Sequence, residues 1–144
     1  MNIKETIKRK IDTLIALEMT KGVQPSELAD NIFLEDYVEF NLYKKDKNIF
    51  GEITFIEEHA ESSFKVKLVY IYDQNKELIK IEENILKQVT TIWDRESQEK
   101  LLVNQIVSLF RELEKPNEAL EFINKLPGKL KGLVNTSFNN IKIA

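Results

Sequence analysis

The run Phe64-Lys65-Val66-Lys67-Leu68-Val69-Tyr70-Ile71-Tyr72-Asp73 constrains the fold of this chain more than any other stretch. Side chains of a strand alternate between its two faces. Phe64, Val66, Leu68, Tyr70 and Tyr72 therefore make one continuous apolar face. The opposite face begins with Lys65 and Lys67 and turns apolar at Val69 and Ile71. Such a strand belongs in the middle of a sheet, with one face on a core and part of the other covered too. Val69 and Ile71 are thus expected to meet a second surface, from this chain or from another. Leu68, at the centre of the run, is expected in the core, where truncation to alanine costs about 2–5 kcal/mol.

The same period of two governs the flanks. Val38, Phe40 and Leu42 alternate with Glu39, Asn41 and Tyr43 as a first strand. Lys44-Lys45-Asp46-Lys47-Asn48 is a polar turn, and residues 49–56 make a second strand. Gly51 inside that strand marks a bulge or the close approach of another element. Residues 57–63 read as a solvated loop. Beyond the central strand, Asp73-Gln74-Asn75-Lys76 is a turn and residues 78–81 form a fourth strand. Connections this short join antiparallel neighbours, so the sheet is expected to be a four-stranded meander. Residues 84–93 are ambiguous. Ile85, Leu86, Val89, Ile92 and Trp93 suit a helix face, while Val89-Thr90-Thr91-Ile92 favours a strand or an extended link, the preferred reading.

Helical spacing brackets this region. Ile3, Ile7, Ile11, Leu14 and Ile15 fall on one face of a helix over residues 2–20, with Asn2 and Glu5 as a capping box and Gly22 as its stop. A short helix follows Pro25, with Ser26 as its expected cap. From Asp94 the stripe Leu102, Ile106, Leu109 and Leu113, widened by Val103, Val107 and Phe110, predicts a long helix that covers the meander. Lys115-Pro116-Asn117 breaks it, and Ala119, Leu120, Ile123 and Leu126 give a further short helix, ended by Pro127-Gly128. The fold class read from this order is α+β: N-terminal helices, a four-stranded antiparallel meander, and C-terminal helices packed on the sheet. No linker divides the chain, so residues 1–144 read as a single domain with a basic tail at about 127–144.

The tail is basic because no acid follows Glu121. The last 23 residues carry +4, from Lys125, Lys129, Lys131 and Lys142, and the first 121 carry -7. Such a tail docks on its own acidic body or offers Lys129 and Lys131 to an acidic partner. The absence of cysteine excludes disulfides and thiolate sites and suits a reducing compartment, and no signal-peptide core or apolar span is present. A cytoplasmic location is expected. The Lys-, Ile- and Asn-rich usage has the look of a bacterial or phage-like, AT-rich coding sequence.

Catalytic sets are sparse. His59, the one histidine, lies among Glu57, Glu58 and Glu61, which could hold a divalent cation but more simply form a solvated loop. The four glycines build no phosphate-cradling loop. No catalytic residue, metal site or cofactor is expected, and an enzyme is not expected. Lys21 to Asp30 has the cadence of a turn before a helix-turn-helix element, but acidic residues follow where base-reading ones should stand. The aromatic residues concentrate in the meander, with more apolar side chains on both faces than a one-sided sheet needs. The expected function is therefore a non-catalytic cytoplasmic protein that binds another protein, or a second copy of itself, through its sheet, with Val69, Ile71, Lys129 and Lys131 as interaction residues and no membrane partner. The alternative is a nucleic-acid-binding regulator using the first two helices.

Overall fold

A computed structural model describes residues 2–134; Lys142 and the part of the expected basic tail beyond residue 134 lie outside the described residues. The elements run α1 (Ile3–Met19), α2 (Pro25–Asp30), a 3-10 turn (Asn31–Phe33), β1 (Tyr37–Lys45), β2 (Asn48–His59), β3 (Ser62–Tyr72), β4 (Leu78–Ile85), β5 (Gln88–Asp94), α3 (Arg95–Glu112), α4 (Pro116–Lys125) and α5 (Gly128–Lys131). The chain is α+β and divides into two compact units. One is Thr20–Arg95; the other joins the described parts of Met1–Met19 and Glu96–Ala144. Each unit has its own cluster of buried side chains.

The first unit is an antiparallel sheet in the order β1-β2-β3-β4-β5, so the described residues form five strands and not the expected four. The difference lies at Leu86-Lys87, where both residues take positive φ (48° and 69°) and close Ile85 onto Gln88. Two central residues at positive φ make the hairpin turn whose twist suits antiparallel strands. Neither residue is the usual Gly or Asn, which hid the turn, and the β-branched run after it returns as β5. Asp46-Lys47 (50° and 73°) closes Lys45 onto Asn48 in the same way. Ala60-Glu61 closes His59 onto Ser62, so the expected loop over 57–63 is two strand ends and a tight turn.

The strand β3 is the middle of the sheet. Val66 and Tyr72 on it, and Ile53 across on β2, are nearly inaccessible, whereas Leu68 is only half-buried. The expectation of a deep Leu68 is corrected by its neighbours: it stands opposite Ile53 on one side but Glu83 on the other. The unit's core gathers at the Tyr72 end, where Leu28 of α2 packs with Tyr72 and Leu78. Gly51 permits this, since a Cβ there would sit 3.3 Å from Leu28 Cδ1. The helix starts at Pro25 after Gln24, whose N–H donates to Glu27 Oε2 at 2.9 Å, so Gln24 caps it in place of the expected Ser26. Tyr72 Oη donates to the Val23 carbonyl at 2.6 Å, and burial pushes its phenol well above the ordinary range. Arg95, almost wholly buried, donates from Nε to the Leu78 carbonyl (2.7 Å) and from its guanidinium to that of Thr20 (3.0 Å), tying the two ends of this unit together.

The second unit is helical. Glu5 N–H donates to Asn2 Oδ1 at 2.8 Å, the cap expected for α1. The deepest members of the α3 stripe, Val103, Ile106 and Val107, pack with Ile7 and Leu14 of α1, Ile123 of α4 and Leu130 of α5 within this unit. An amphipathic helix buries its stripe against the nearest apolar surface, and three other helices supply one here.

Candidate protein-binding edges

The residues expected to interact are placed as follows. Val69 is half-buried, between Glu52 of β2 and Glu82 of β4. On that face Lys67 lies 3.7 Å from Glu52, and Tyr43 donates to Glu52 at 2.9 Å, so its surroundings are polar. Ile71 is buried, between Phe50 and Lys80. Its apolar character is already absorbed within the chain. Lys129 is paired with the buried carboxylate of Glu99, and Lys131 is exposed at the end of α5. Val69 and Ile71 belong to the sheet unit, and Lys129 and Lys131 to the helical one.

Within the sheet unit, open apolar side chains gather at and beside the two edges of the sheet. Strand β5 is exposed from Gln88 through Ile92, with Val89 at 56% and Ile92 at 50%, and Leu86 at the turn before it at 82%. From Gln88 to Trp93 it carries no charge. In a two-residue hairpin the pair flanking the turn is hydrogen-bonded and the next is not. By that alternation Gln88 and Thr90 bond inward to β4, and the N–H and C=O groups of Val89 point away from the sheet. Natural edges are usually blunted with lysine, proline or a covering element, because open backbone groups recruit another strand. From Gln88 to Trp93 this one has neither lysine nor proline, and its regular ladder runs from Gln88 to Thr91 before the register shifts opposite Ile81 and Glu82. The signal was present in the sequence as Val89-Thr90-Thr91-Ile92, but only its identity as an edge strand makes it informative.

The other edge, β1, differs. It is exposed along most of its nine residues and carries one acid, Glu39, near its start and Lys44 and Lys45 at its end. The lysine end borders a cleft of about 810 Å3 lined by Lys44, Lys47, Lys76, Ile49 and Tyr72. Next to its start, Phe33 of the 3-10 turn is 88% exposed.

His59 ends β2, exposed, with its ring stacked on Phe64 and Nε2 3.1 Å from Glu57 Oε1. Among the described residues no three His, Asp or Glu side chains gather as a cation site. The helices α1 and α2 fall in different compact units, and α2 is six residues long, followed by a 3-10 turn and a strand. Among the described residues no helix is long and apolar enough to cross a membrane. Compared with known proteins, the chain matches no family model, no curated protein and no solved structure.

Proposed function

We propose that this chain is a non-catalytic cytoplasmic protein-binding module, and that its sheet unit takes up an extended segment of another protein along β5. The observation that carries this reading is the uncharged, exposed edge from Gln88 to Ile92. Strand addition to such an edge draws affinity from main-chain hydrogen bonds and selectivity from alternate side chains. Val89 and Ile92 supply the apolar contacts, and the outward backbone groups supply the ladder. The reading keeps the sheet as the binding surface and moves the contact from the face at Val69 and Ile71 to the edge.

Affinity purification from the native host tests it, with the unaltered chain compared against Val89→Lys. A lysine on an exposed edge position blunts strand pairing and leaves the β4 ladder intact. A protein recovered with the unaltered chain and lost with the variant is expected. Identical recoveries would contradict the reading.

A further inference from the structure

We infer that β1 is a self-pairing edge: two copies of this chain join antiparallel along β1 around a two-fold axis at Leu42. This goes beyond the β5 reading and does not depend on it.

Three observations lead here. First, the regular part of the β1 ladder is bounded. A register shift between Tyr37 and Glu39 ends it on one side, and the Asp46-Lys47 turn ends it on the other. The regular stretch is therefore residues 39–45, and its midpoint is Leu42. Leu42 is 51% exposed.

Second, the hydrogen-bond alternation fixes which groups are free. Lys45 and Asn48 flank a two-residue turn, so they form a hydrogen-bonded pair. Counting back, Tyr43, Asn41 and Glu39 also bond inward to β2. The outward N–H and C=O groups then belong to Lys44, Leu42 and Phe40. In an antiparallel pair, outward residues must oppose outward residues. The permitted registers are thus two residues apart, and the one with Leu42 on its own counterpart uses the whole regular stretch.

Third, the charges match that register. Glu39 then stands directly opposite Lys45 of the second copy, twice by symmetry. Among the described residues Lys45 makes no ion pair, and the Glu39 carboxylate is held only by Asn41 Nδ2 at 2.6 Å. Of the two neighbouring registers, one sets Phe40 opposite Leu42 and Glu39 opposite Tyr43, with no charged pair directly across; the other sets Leu42 opposite Lys44 and carries Glu39 past the ladder to Lys47 of the turn. Edge charges of one sign repel a second strand. Here the signs are segregated to opposite ends, so antiparallel self-pairing brings unlike charges together, and opposite charges directly across a strand pair are favourable. A two-fold contact of this kind is self-complementary and closed. It would leave β5 as the outer edge at both ends of the joined sheet.

Sedimentation velocity of the full chain over a range of concentrations tests this. The unaltered chain should shift from monomer to dimer as concentration rises. Glu39→Lys and Lys45→Glu should each weaken the dimer about tenfold, because each places like charges opposite one another twice. The double variant should restore it, since the pairs are re-formed with signs exchanged. Leu42→Lys, at an exposed position on the axis, should stay monomeric with an unchanged circular dichroism spectrum. A chain that is monomeric at every concentration would overturn the proposal. So would a dimer indifferent to these variants, or single-variant losses that the double variant fails to repair. None of these outcomes alters β5, so recovery of a partner that depends on Val89 stands or falls separately.

Discussion

The ammonium of Lys129 stands 3.2 Å from Oε1 and 3.3 Å from Oε2 of Glu99, a carboxylate with no exposed surface. The first lysine of the basic tail is therefore docked on its own helical unit. Burial, reinforced by the hydrogen bond and charge of Glu18, raises the Glu99 carboxyl to about 7, against the pull of Lys129. Burying a carboxylate is costly enough that one nearby lysine does not restore its ordinary value.

The pH dependence of stability follows from that shift. Between the ordinary value of 4.5 and about 7, the folded chain holds a proton at Glu99 that the unfolded chain has released. Stability from this group is full below pH 4.5 and declines as pH rises to about 7. Glu99→Gln should flatten that decline and be the more stable form at pH 8, by about 1 kcal/mol. Thermal melts of both proteins across this range check it. Parallel curves would show that Glu99 titrates as it does in the unfolded chain.

The bond from Tyr72 to the Val23 carbonyl joins the core of the sheet unit to the segment before α2. Tyr72→Phe leaves that carbonyl without its donor and should cost about 1–2 kcal/mol. Urea denaturation measures this, and an unchanged midpoint would mean that water replaces the hydroxyl at no cost.

A third prediction concerns the end of α3. Glu114 lies at φ 56°, with its N–H on the Arg111 carbonyl (2.9 Å) and Lys115 N–H on that of Phe110 (3.1 Å). This is the reverse-turn cap in which glycine is the usual residue. Glu114→Gly removes the left-handed strain and should stabilise the helical unit by roughly 0.5–1 kcal/mol. A lower melting temperature for the variant would show that the Glu114 side chain makes a compensating contact.

The central strand was legible in the sequence because alternation over ten residues admits few alternatives, and Gly51 was readable as a point of close approach. The depth of individual positions was not. Leu68 lies between Ile53 and Glu83, and only the register of three strands reveals that. The run Val89-Thr90-Thr91-Ile92 was readable as extended and forms β5, but its pairing as a fifth strand was hidden by Leu86-Lys87, which occupy a left-handed turn without the residues that announce one. The partner of the α3 stripe was illegible for a different reason. An apolar stripe states that it will be buried and is silent about what will cover it. The same point separates the apolar residues of the sheet: Ile71 is buried within the chain, while Val89 and Ile92 are left open.

The most direct test of the proposed function is a photo-reactive benzoylphenylalanine placed at Val89 in cells of the native host, with Lys8 of α1, also exposed, as the comparison position. Binding along β5 predicts a discrete heavier adduct on irradiation from Val89 and none from Lys8. A chain that remains at its own mass when irradiated with the probe at Val89 would contradict it.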